Sequence, residues 1–149
     1  MADDATITLS ATVLPDEIAK TIAGTMTLAP ADANDKWYYK FTSVSNASTD
    51  LIAGYFTDYT AVDDDTAPTA VHTADKVKFL FIKNTDGSND VYLVFDAGTA
   101  STSVGDAIKV PAGTAWFGQL PNTTVAEVHA ITSTSTVNCL VAALIDDVA

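Results

Sequence analysis

The chain has 149 residues, 48% of them apolar, and carries a formal charge of −12 from 19 acidic and seven basic side chains. That length and composition suit one globular domain rather than a disordered chain. The charge excludes the basic face that nucleic acid requires, disfavours anionic membranes, and suits a protein that must stay soluble at high concentration.

Residue choice narrows the fold class. Threonine occurs 22 times, valine 14 and isoleucine eight, against two glutamates and no arginine. β-branched residues fit a pleated, half-buried surface, and strong helix formers are scarce. Of the acids, 17 are aspartate, whose short side chain bonds nearby backbone in turns. The composition predicts an all-β protein. The opening MADDATITLS is too acidic and polar for a secretory signal. No apolar run approaches the roughly 20 residues of a membrane-spanning helix.

In chain order, Thr6 to Leu14 alternates Ile7, Leu9, Ala11 and Val13 with Thr6, Thr8, Ser10 and Thr12. It predicts a half-buried strand, or an arm that adds to a neighbour's sheet edge. A second strand is expected within Ile18–Leu28, after a break at Pro15-Asp16-Glu17, and a loop over 29–36. Trp37, Tyr39 and Phe41 then alternate with Tyr38, Lys40 and Thr42 in an aromatic strand expected to supply much of the core. A turn at 45–50 leads to a strand over Leu51–Tyr59, with Gly54 as a bulge or close-approach point. Residues 61–74 read as a surface loop.

The stretch from Lys76 to Leu120 is the most strongly patterned. KVKFLFIKN and VYLVFD flank a turn rich in Asp, Gly, Ser and Asn, which predicts an antiparallel hairpin with Val77, Phe79 and Phe81 on one face and Val91, Leu93 and Phe95 on one face. Ile108–Val110 ends at Pro111-Ala112-Gly113, where the chain turns. Strands over Val125–Ile131 and Thr136–Ile145 follow, the last apolar enough to lie centrally in a sheet. The result is a single domain, residues 1–149, with 1–14 as a candidate arm. The expected fold is a jelly-roll-like antiparallel β-sandwich or barrel of 8–10 strands.

The residues offer little chemistry. His129 and Glu127 sit two apart and share a strand face, which is no acid–base pair by itself. Two histidines and one cysteine, far apart in sequence, do not make a zinc site. Asp63-Asp64-Asp65 and the Asp86–Asp90 turn carry oxygen ligands but lack the spacing of a calcium loop. Cys139, inside VNCLVAALI, reads as a small buried hydrophobe. The expectation is therefore a protein with no catalytic residue, cofactor or metal. Adjacent aromatics at Trp37-Tyr38-Tyr39, Tyr55-Phe56 and Trp116-Phe117 point to opposite faces of their strands, so some must lie outside the core. Ile7, Leu9, Val13, Tyr38, Trp116 and Phe117 are the candidate protein-interface residues. A sugar platform using Trp37, Tyr38 or Trp116 is the alternative.

The run KVKFLFIKNTDGSNDVYLVFD, followed by GDAIKVPAGTAWFGQL, VAEVHAIT and VNCLVAAL, resembles the small β-sandwich head-decoration (cement) proteins of tailed bacteriophages over about residues 75–145. The resemblance implies a structural virion protein, not an enzyme. It would bind the major capsid protein on the outer surface of an icosahedral head and stabilise the shell, with no nucleic-acid or membrane partner. It further implies a homo-oligomer, a trimer in preference to a dimer, made in the host cytoplasm and ending in the virion. A carbohydrate- or receptor-binding module of a tail or head fibre is the alternative.

Overall fold

The computed structural model describes residues 4–13, 20–57, 68–103, 105 and 107–148. It divides into two compact units, residues 1–33 and 34–149. The first holds strands β1 (Ala5–Val13) and β2 (Lys20–Leu28), paired antiparallel from Ala5 opposite Leu28 to Val13 opposite Lys20. The predicted N-terminal strand is thus one half of a hairpin whose other half is the second predicted strand.

The second unit is a β-sandwich of two four-stranded antiparallel sheets. β3 (Asp35–Val44), β10 (Val137–Asp146), β5 (Lys76–Asn84) and β8 (Ala115–Thr124) form the first, in the order β3-β10-β5-β8. β4 (Thr49–Asp50), β9 (His129–Thr132), β6 (Val91–Val94) and β7 (Ile108–Val110) form the second, in the order β4-β9-β6-β7. Tyr38, Val77, Leu80, Ile82, Val141, Ala143 and Ile145 from the first sheet meet Val91, Leu93, Val110 and Ala130 from the second in one buried cluster. The all-β expectation holds, and β10 is central as its apolar sequence predicts, bonded to β3 on one side and β5 on the other.

Several local expectations do not survive. KVKFLFIKN and VYLVFD are not a hairpin, because β5 and β6 belong to different sheets. Both edges of β5 are already taken, by β10 and β8, so β6 has no free backbone to pair with. The connecting turn instead crosses the sandwich. It is fixed by buried Asn84, whose Nδ2 donates to the carbonyls of Asn89 (2.8 Å) and Val110 (3.2 Å). Residues 51–57 form an irregular segment rather than a strand, with one isolated bridge from Tyr55 to Ala70. Gly54 takes a φ of +103° there, a conformation that side chains with a Cβ resist. Val125–Glu127 is a 3₁₀ turn ahead of β9 rather than part of a strand. The Asp63–Asp65 run falls outside the described residues.

Two facing assignments also reverse. Against β10 the register shifts between Val77 and Phe79, so Lys78 is an extra residue there; against β8 the same step spans Thr123 to Gln119, so on that side the surplus residues lie on β8. The bulge at Lys78 moves Val77, Leu80 and Ile82 to the core and leaves Phe79 and Phe81 on the opposite face. In β3 it is Tyr38 that points into the core, while Trp37, Tyr39 and Phe41 point out. The polar groups on the Tyr38 side of β3 accompany the reversal, since the irregular 51–53 segment has carbonyls to satisfy. Tyr38 Oη (3.2 Å) and Lys40 Nζ (3.1 Å) donate to the Ala53 carbonyl, and Thr42 Oγ1 donates to that of Leu51.

Candidate protein interface

In the hairpin, period-two geometry sorts the side chains onto two chemically distinct faces. Ile7 stands opposite Met26, Leu9 opposite Gly24 and Ala11 opposite Ile22, so these residues share a face with Val13 and Leu28. The other face is a hydroxyl array, with Thr6 opposite Thr27, Thr8 opposite Thr25 and Thr12 opposite Thr21. On the apolar face Leu9 is 48% exposed, Val13 38% and Ile22 58%. Three large aliphatic side chains in water on one short hairpin mark a contact surface rather than scattered surface hydrophobes.

The sandwich has a counterpart. The outer face of its first sheet carries Trp37, Tyr39 and Phe41 from β3, and Leu140, Ala142 and Leu144 from β10, each directly opposite. Phe79 and Phe81 of β5 continue the rows, and Phe117 lies beside Phe81 on β8. An antiparallel sheet normally turns a polar face to water, and this one does not. Toward the β3 edge Tyr39 is 56% and Phe41 62% exposed. Across the middle of this face, from Trp37 to Ser43 and across to β8, no acid interrupts a chain that has 19 of them.

Among the described residues, the ion pairs of this sheet lie at one end. Lys78, the bulged residue, donates from Nζ to Asp35 Oδ1 at 2.5 Å and lies 3.4 Å from Asp146 Oδ2. The Asp35 carboxylate, followed by that of Asp146, raises the pKa of the Lys78 ammonium. Lys36 pairs with Asp147 alongside. These pairs close the sheet end and leave the aromatic stretch uncharged.

The six predicted interface residues separate accordingly. Leu9 and Val13 are exposed on the hairpin, and Ile7 is half-buried on the same face. Phe117 is half-buried on the outer face of the sandwich. Tyr38 is corrected: it is 1% exposed, between the sheets, and is not available to a partner. Trp116 turns inward as well, packed on the core with its ring 5.6 Å from that of Phe95. The residues missed are Ile22, Tyr39, Phe41 and Leu140. The signal that could have found them is the even spacing of Ile22, Met26 and Leu28, together with an apolar β10 that requires cover on both faces.

The polar clusters have structural partners. Asp86 Oδ1 accepts the N–H groups of Ser88 and Asn89, each at 2.7 Å. Asp90 pairs with Lys109 at 2.7 Å and accepts the Ala112 N–H. Glu127 accepts from the backbone and hydroxyl of Thr124 rather than facing His129, whose Nδ1 lies 3.2 Å from Asp50 Oδ1. Cys139 is buried, and desolvation pushes its thiol up to about 11, which suppresses the nucleophilic thiolate. No family model, curated protein or solved structure matches the chain.

Proposed function

We propose that the chain is a structural virion protein of the decoration type, a jelly-roll-like sandwich that binds the major capsid protein on the outside of an icosahedral phage head. It acts there as a homo-oligomer that reinforces the shell, and it turns over no substrate. One observation carries the reading: the chain presents exposed apolar side chains on two β-surfaces, Leu9, Val13 and Ile22 on the hairpin and Tyr39 and Phe41 on the sandwich, in a molecule of net charge −12. Such surfaces are what a protein uses to hold other proteins. The resemblance of residues 75–145 to phage cement proteins supplies the partner. The test is co-sedimentation with shells assembled from the major capsid protein of the source particle. The full chain should sediment with the shells and raise their melting temperature, and deletion of residues 2–14 should abolish both effects. A full chain that stays in the supernatant overturns the reading.

A second reading has its own observation. Trp37, Tyr39 and Phe41 recur on one side of an edge strand at steps of about 7 Å, a spacing on which sugar rings can stack. Glycan-array binding lost in Tyr39→Ala would favour a carbohydrate-binding module of a phage fibre. A blank array would remove it.

A further inference from the structure

We infer that the β1–β2 hairpin of one copy docks through its apolar face onto the outer aromatic face of the β3-β10-β5-β8 sheet of a second copy. Leu9, Val13 and Ile22 would lie against Tyr39, Phe41 and Leu140. The inference rests on the homo-oligomer of the proposed function and deepens it by naming the surfaces through which copies join; its readout is self-association in the absence of shells, so it can fail while shell binding stands.

Four observations converge on a second copy as the occupant. First, the hairpin is a pair of nine-residue strands, and an isolated two-stranded hairpin is marginal in water, so its fold implies a surface to rest on. Second, that surface must be apolar, and the outer face of the first sheet is, with Tyr39 and Phe41 more than half exposed toward the β3 edge while Phe79 and Leu144 of the same face are buried. Third, the lengths agree. Nine-residue strands extend about 30 Å, as do the ten-residue β3 and β10, so the hairpin can lie along them as sheets stack.

The fourth observation is electrostatic. Two copies that each carry −12 repel one another wherever acid faces acid. The hairpin's apolar face carries no acid and one cation, Lys20, opposite Val13. The middle of the sandwich's outer face carries none either, and has Lys83 at its margin. These two patches can meet without bringing carboxylates together, and a single exchange joins both kinds. Reciprocal exchange closes a dimer and head-to-tail exchange closes a ring, so each copy gives one hairpin and receives one.

The experiment uses the full chain carrying Cys139→Ala, so that introduced thiols are the only ones. Leu9→Cys and Phe41→Cys are prepared as separate proteins, mixed and mildly oxidised. The expected result is a disulfide-linked heterodimer on a denaturing gel, in excess of what either protein gives alone. In parallel, sedimentation equilibrium of Ile22→Asp and Phe41→Asp should show self-association weakened by at least about tenfold, with the sandwich's thermal transition kept. Tyr39→Lys serves as a second variant on the sandwich side should Phe41→Asp fail to fold. Three results would each overturn the inference. These are a wild-type chain that sediments as a monomer throughout, folded variants that associate as tightly as wild type, and a Leu9→Cys/Phe41→Cys double variant that closes only within its own chain.

Discussion

Asp86 accepts two backbone N–H groups, those of Ser88 and then Asn89, and they hold its carboxyl below its ordinary pKa. Asp90, held by the Lys109 ammonium and the Ala112 N–H, and Glu127, held by the Thr124 N–H, are lowered too. A carboxyl whose pKa falls on folding contributes stability that is present above its unfolded pKa and lost as pH falls through the folded one. The melting temperature should therefore drop on acidification between about pH 5 and pH 3. Asp86→Asn, which keeps the acceptor oxygen but not the charge, should flatten part of that drop. Asp86→Ala should lower the melting temperature at every pH. If Asp86→Asn titrates like wild type, the turn does not depend on this charge. Asp86 was legible from sequence as a turn residue. The course of the turn was not, because it depends on Asn84, buried at the end of β5, bonding the Val110 carbonyl of β7 and steering the chain across the sandwich.

At the scale of elements, the existence of strands was readable and their facing was not. Alternation reports which residues share a face but not which face is inward, and in β3 the side with Tyr38, Lys40 and Thr42 is the more polar one yet supplies Tyr38 to the core. In β5 the extra residue Lys78 inverts parity partway along, and nothing in KVKFLFIKN announces it beyond a lysine between apolar residues. The hairpin was the easier case, since threonine on one face and aliphatics on the other specify its register. The β10 amides are bonded or shielded on both flanks by β3 and β5, whereas among the described residues β1 and β2 pair in a two-stranded sheet. In dilute protein, hydrogen exchange should thus be slowest in β10 and fast throughout β1 and β2. Raising the protein concentration into the associated state should slow β1 and β2 and leave β10 as it was. Equal protection of hairpin and β10 at high dilution would show that the hairpin needs no neighbour.

For the molecule as a whole, charge and apolar area act in opposite directions. Self-association brings −12 to −12 but joins surfaces that hold no carboxylate, so salt should strengthen it by screening the repulsion. Raising sodium chloride from about 20 mM to about 500 mM should lower the dissociation constant, whereas an interface built on ion pairs would weaken over the same range. Analytical ultracentrifugation at the two salt concentrations separates these outcomes. The all-β class was legible from composition because threonine, valine and aspartate dominate throughout. The assignment of strands to two sheets was not, because pairing between residues as distant as β3 and β10 leaves no local trace.

The insertion of β10 between β3 and β5 has a consequence for biogenesis. On the ribosome, β3 and β5 emerge long before the segment that will join them. During that interval each nascent chain offers bare strand edges to every other chain in its polysome. A sheet completed last from its centre folds late, and the 17 aspartates put like charge between unfinished copies until then.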